Sequence, residues 1–282
     1  MAEIALGVFR ASDGVELYDR RVVPAEPCRG RIVVLHGIRS HGGWYERSVR
    51  AFAEAGYEVR LLDRRGSGRN TAYRGDTPNA SRCTADVVDY LLHLRQTRSA
   101  LPTYLIGISW GGKLALSVAA AKPGLVQGVA LVCPGLVPVI QPPFIQRMRI
   151  ALARFLRPNK RFAIPLNGPE LFTGSPEWQR WIADDPLGLT EATARFLFCS
   201  AVLDRRLKRV AHRVTCPLLM LLAGKDRILD NPGTRRYLAR FANAATIAVR
   251  EYPEAQHTLE FEERQPFVGD VLSWMKRSGG MQ

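Results

Sequence analysis

Hydrophobic positions in the first half of the chain follow two alternating patterns. Compact apolar runs at Arg31–Leu35 (RIVVL), Tyr57–Asp63 (YEVRLLD), Thr103–Gly107 and Gln127–Cys133 (QGVALVC) have the character of strands. Between them, apolar residues recur at helical spacing. One such stretch is Trp44–Ala55, stopped by Gly56, and another is Ser81–Ser99, with Val87, Val88, Leu91, Leu92 and Leu94. Residues three and four apart share a helix face, whereas a continuous β-branched run suits a strand covered on both sides. Strands and helices in alternation predict a parallel sheet with helices on both faces.

The rhythm breaks at Pro134. From there to about Arg213 the chain carries Pro-punctuated loops and helical patterns at Ile145–Leu156, Glu177–Ala183 and Glu191–Leu203. This block predicts an insertion, residues 134–213, into a core made of residues 1–133 and 214–282. Its apolar residues have three available uses: lining a tunnel, meeting a membrane surface, or packing against the core. The sheet rhythm returns at Pro217–Ala223 (PLLMLLA) and Thr246–Tyr252. A helix is expected to start at Asn231-Pro232, with Asn as cap and Pro in the first turn, and a last helix over Glu260–Lys276.

Composition narrows the class. A chain of 282 residues with 46% hydrophobic content can bury a sizeable core. No apolar run approaches the roughly 20 residues of a membrane span, and the opening MAEIALGVFRASDG lacks the basic start of a signal peptide. The five cysteines are scattered, odd in number and without a CxxC pair, which fits reduced thiols in a cytoplasmic protein and no zinc site. The formal charge of +14 attracts phosphates. Because the arginines are dispersed, the expectation is at most weak association with an anionic membrane surface and no specific nucleic-acid partner.

The chemistry centres on Gly107-Ile108-Ser109-Trp110-Gly111, a G-x-S-x-G pattern between a predicted strand and a predicted helix. A sharp strand-to-helix turn projects the serine, and its neighbours two residues away must be small for the turn to close. A serine hydroxyl is a poor nucleophile and needs a base held by an acid, in the chain order Ser, acid, His. Of the five histidines, only His257 follows both a plausible acid and the last strand. His36, His93 and His212 are expected to be structural. In AGKDRILD, Asp226 is the expected acid, with Asp230 as the alternative. The oxyanion hole requires the backbone N–H after the nucleophile and one from the loop after the Arg31–Leu35 strand, which are those of Trp110 and Ile38. None of this requires a metal or cofactor.

With FRASDGVELYDRRVVP, VLHGIRSHGGWY, YEVRLLDRRGSGRN, GISWGG, AGKDRILD and QHTLEFE spread over nearly the whole chain, the sequence resembles the α/β-hydrolase superfamily. It is most similar to the monoacylglycerol lipase and lysophospholipase branch, grouped with serine aminopeptidase-like hydrolases. The resemblance implies a mostly parallel eight-stranded sheet flanked by helices, with residues 134–213 as a helical cap. It implies Ser109 as nucleophile, Asp226 as acid, His257 as base, and the amides of Ile38 and Trp110 as oxyanion hole. The implied reaction is hydrolysis of a carboxylic ester, a lipid monoester such as a monoacylglycerol or lysophospholipid. Acyl transfer, thioester cleavage and aminopeptidase-like amide cleavage by the same triad are the alternatives. The branch commonly has Gly-x-Gly-Glu-His where this chain has Gly37-Ile38-Arg39-Ser40-His41. Arg39, with His41 beside it, is therefore a candidate for holding an anionic group of the substrate, or else for facing solvent or pairing with a cap acid.

Overall fold

A computed structural model describes residues 3–25, 27–97, 101–263 and 266–278. Eight strands form one sheet: β1 (Ala5–Arg10), β2 (Glu16–Val22), β3 (Gly30–Leu35), β4 (Tyr57–Leu62), β5 (Thr103–Ile108), β6 (Gly128–Val132), β9 (Leu218–Ala223) and β10 (Ile247–Tyr252). Their order across the sheet is β1-β2-β4-β3-β5-β6-β9-β10. Only β2 runs against its neighbours, antiparallel to both β1 and β4, and the five remaining pairings are parallel. Strands β3, β5, β6 and β9 are buried along their whole length, which is why they stand out in the sequence as unbroken apolar runs.

Helices flank the sheet. Helix α1 (Glu46–Glu54) packs beside α8 (Pro266–Ser278), and α2 (Ala80–Thr97) packs beside α3 (Trp110–Ala121). Between β6 and β9 lie α4 (Phe144–Leu156), α5 (Pro176–Ala183), α6 (Ala194–Val210) and a small antiparallel pair, β7 (Arg161–Ala163) with β8 (Glu191–Thr193).

Several boundaries differ from the sequence expectation for local reasons. Gly42–Tyr45 forms a 3-10 turn before α1. The helix expected over Glu191–Leu203 gives its first three residues to β8. Thr193 then caps α6 through the amide of Phe196. Asp230, rather than Asn231, caps α7 (Asn231–Tyr237) by accepting from Gly233 N at 2.9 Å, while Asn231 Nδ2 donates to Ala223 O. The last helix starts at Pro266, after a 3-10 turn at Leu259–Phe261. Arg98, Ser99, Arg264 and Gln265, which fall within the expected helices, lie outside the described residues.

Candidate active site

The turn between β5 and α3 has almost no slack. Ser109 sits at φ 51°, ψ −119°, a region that costs a non-glycine residue of the order of 1–3 kcal/mol. A Cβ on Gly107 would come within 2.7 Å of Gly111 O and Gly112 Cα, and one on Gly111 within 2.1 Å of Leu35 O. These contacts explain the glycines on either side of the serine. The strain is held by backbone bonds: Ser109 N donates to Val132 O at 2.9 Å, and Ser109 O accepts from Gly112 N and Gly135 N.

Ser109 Oγ lies 3.0 Å from His257 Nε2, and His257 Nδ1 lies 2.8 Å from Asp226 Oδ2. The other carboxylate oxygen, Oδ1, accepts from the amides of Ile228 and Leu229 at 2.8 and 3.1 Å. The carboxylate is thus fixed by the turn after β9, and it holds the Nδ1 proton of His257. Nε2 is then free to accept from the serine hydroxyl. The imidazole is buried under Phe172 from the inserted segment, ring centroids 6.0 Å apart. Asp230, occupied as a helix cap, takes no part in this line. Cys133 is buried close by, its sulfur within 4.8 Å of ligand atoms of Asp226 and His257. Three such groups can in principle hold a soft cation, but the facing Nδ1 and Oδ2 atoms already bond each other.

The loop after β3 is pressed against the serine. A Cβ on Gly37 would lie 3.4 Å from Ser109 Cβ. His36 is buried, and burial, followed by the nearby Arg64 cation, pulls its pKa down to about 3, so it is neutral at physiological pH. Its Nε2 accepts from Arg64 N at 2.9 Å, which leaves Nδ1–H to donate to Gly37 O at 2.8 Å. That bond holds the peptide whose N–H belongs to Ile38. Ser40 Oγ accepts from Gly37 N and bonds Tyr45 Oη.

A cavity of about 370 Å³ opens at Ser109. Ile38 and Trp110 line it beside the serine, and Ile140, Ile164, Leu197 and Phe198 of the inserted segment form part of its wall. Its charged lining is Lys113, Arg147, Asp204 and Arg205. Lys113, one turn beyond Ser109 on α3, pairs with Asp204 of α6 at 2.5 Å. Sequence reasoning missed this pair. The four-residue step from Ser109 to Lys113 was the available signal, since it places both on one helix face.

Arg39 and His41 do not line this cavity. Both are buried in the seam between the sheet edge and the inserted segment. Arg39 Nη1 donates to Leu166 O and Asn167 O at 2.6 and 2.9 Å, and its Cζ lies 5.7 Å from the Phe172 ring centroid. His41 Nε2 donates to Asp185, which also accepts from Trp44 Nε1 at 2.8 Å. Burial raises the Asp185 pKa, but the bonds from His41 and Trp44 outweigh it and hold the carboxyl below its ordinary value. Of the two expectations for these residues, an anionic substrate group is corrected: His41 pairs with an acid of the inserted segment, the other alternative, and Arg39 binds main-chain oxygens of that segment.

The strand order and the strained serine between β5 and α3 are those of an α/β-hydrolase. Within that class the chain belongs to the family described as serine aminopeptidase, S33, whose model matches residues 26–264. The chain is 27% identical to the monoacylglycerol lipase of Mycolicibacterium smegmatis, over 95% of each chain. It is 26% identical to human monoglyceride lipase, over 89% of this chain and 82% of that one. The crystal structure of Paleococcus ferrophilus monoacylglycerol lipase superposes with a TM-score of 0.83 at 22% identity, covering 94% of this chain and all of the other.

Proposed function

We propose that this α/β-hydrolase cleaves carboxylic esters through an acyl-serine, and that its substrates are lipid monoesters. The observation that carries this reading is the contiguous Ser109–His257–Asp226 line, at 3.0 and 2.8 Å, at the base of a largely apolar cavity. Ser109 Oγ attacks the ester carbonyl while His257 Nε2 takes its proton. Asp226 keeps the imidazole oriented and stabilises its cation. The amides of Ile38 and Trp110 receive the tetrahedral oxyanion. Collapse expels the alcohol, which leaves with the proton from His257. A water molecule, activated by the same imidazole, then releases the acid and regenerates the serine.

The segment 134–213 acts in this reading as a cap that shapes the acyl site. Its α4 also supports contact with a membrane surface. Phe144, Ile145, Met148, Leu152, Phe155 and Leu156 project from α4 with 56–74% exposure. No Asp or Glu occurs between Asp89 and Glu170, whereas Arg147, Arg149, Arg154, Arg157, Lys160 and Arg161 lie on or just after this helix. An apolar helix face whose own charged residues are all cations suits an anionic lipid surface. Because α4 also contributes Arg147, Ile150 and Ala151 to the cavity wall, a lipid taken from that surface has a short path to Ser109.

The test is hydrolysis of p-nitrophenyl esters of increasing acyl length by wild type, Ser109→Ala and Asp226→Asn. Loss of kcat on the order of 10⁶-fold is expected for the first variant and roughly 10⁴-fold for the second. Turnover that persists in Ser109→Ala would remove the acyl-serine. Product analysis with a competing alcohol, and a panel of aminoacyl amides, separate hydrolysis from acyl transfer and from amide cleavage.

A further inference from the structure

Arg64 is a buried cation. It follows β4, and its side chain reaches under the site. Nη2 donates to Ile38 O at 2.8 Å. Its Cζ lies 5.0 Å from the ring centroid of Trp110 and 4.8 Å from that of Phe196, on α6. Among the described residues no carboxylate bonds it, and Nε and Nη1 make no hydrogen bond. Burial lowers its pKa to about 10, which still leaves it charged at neutral pH. A buried charge with unpaired donors is costly. The two residues it grips from the sheet side, Ile38 and Trp110, are the two whose amides would form the oxyanion hole.

We propose that Arg64 is a positioning residue for the oxyanion hole, an inference that rests on the acyl-serine reading above. The bond to Ile38 O holds the loop that carries one amide, and the guanidinium over the Trp110 ring bears on the indole of the residue that carries the other. Bonding a carbonyl with one edge while lying over a ring suits the broad, planar guanidinium better than a compact ammonium. Phe196 packs against the same indole, ring centroids 5.6 Å apart, so the seating of α6 bears on the same cluster. A fixed cation in a water-poor interior also favours negative charge developing nearby. Arg64 touches neither substrate nor Ser109, so its contribution falls on the tetrahedral states and not on ground-state binding. The residue therefore acts on kcat while leaving KM alone.

The experiment compares wild type, Arg64→Met and Arg64→Lys. It measures ester kcat and KM, together with inhibition by an alkyl trifluoromethyl ketone, which forms a tetrahedral oxyanion on the serine. Arg64→Met keeps apolar bulk and removes the charge and the Ile38 bond. Losing a direct oxyanion donor costs about 10²–10³ in kcat, so this indirect support is expected to cost roughly 10- to 100-fold, with KM unchanged. The ketone Ki should rise by the same factor as kcat falls. Arg64→Lys should lie between, since charge survives and the broad guanidinium does not. Wild-type kcat and Ki in both variants, or a loss confined to KM, would overturn the assignment. If Arg64→Met does not fold, Arg64→Lys is judged by the same criteria. Turnover that survives Ser109→Ala would instead strike the acyl-serine reading itself, so the two failures are distinguishable.

Discussion

Acid should cost this fold more than surface carboxylates alone would suggest, because of His36. In the fold its pKa lies near 3, and in the unfolded chain near 6.5. Below pH ~6.5 the unfolded state takes up a proton that the folded state refuses. Stability present above that pH is therefore lost as pH falls, at about 1.4 kcal/mol per unit, and the loss levels off near pH 3. Between pH ~7 and ~4.5 the contribution is about 2.5 kcal/mol, a sizeable share of a typical domain stability. Urea unfolding of wild type and His36→Asn at both pH values isolates it. The variant loses the His36 bonds at either pH, so that constant cost cancels in the pH difference. Wild type should lose about 2.5 kcal/mol more than the variant on acidification. Equal losses would show that His36 protonates freely in the fold, and would refute its assignment as a neutral imidazole between Arg64 N and Gly37 O.

Three further outcomes follow from the geometry. Gly111→Ala places a methyl against Leu35 O and should cost at least about 3 kcal/mol, read as a large fall in Tm or loss of soluble protein. Arg39→Ala strips two carbonyls of their donor and should cost about 2–4 kcal/mol. Limited proteolysis should then cut within residues 134–213, and turnover of neutral and anionic esters should fall together, whereas a selective loss of the anionic ester would restore a substrate-binding role. Ile145→Glu with Phe155→Glu should weaken co-sedimentation with anionic vesicles at least about tenfold while sparing hydrolysis of a short water-soluble ester, and unchanged sedimentation would exclude α4 as the docking face.

The legible parts of the sequence were those where one constraint dominates. Strands β3, β5, β6 and β9 are buried throughout, so only apolar residues suit them. The glycines around Ser109 are dictated by clashes of under 3 Å, which makes G-x-S-x-G readable without coordinates. Strands β1 and β2 were not resolved as elements, because β1 is a largely exposed edge and β2 buries Asp19 and Arg20 beside Leu17 and Val22. Buried charges of this kind break the alternation on which a strand assignment relies. Arg39 and His41 were left between a substrate anion and a cap acid for a related reason. Their partners, the Leu166 and Asn167 carbonyls and the Asp185 carboxylate, lie more than a hundred residues away. Local pattern cannot distinguish an arginine that faces a ligand from one that grips a distant main chain. Arg64 was invisible because its contacts, Ile38, Trp110 and Phe196, come from three separate stretches of chain that only the fold brings together.

Beside side-chain pairs such as His41–Asp185 and Lys113–Asp204, the seam between the sheet and the inserted segment is held by arginines that bind main-chain oxygens. Arg39 takes Leu166 O and Asn167 O, and Arg74 takes Leu187 O and Gly188 O. A carbonyl is present whatever side chain its residue bears. Leu166 shows the consequence, since its side chain lines the cavity while its carbonyl anchors the segment. At such a position the side chain can be exchanged while the main-chain attachment of the segment stays in place. This separation of attachment from recognition makes the wall over Ser109 a natural place to diversify in directed evolution.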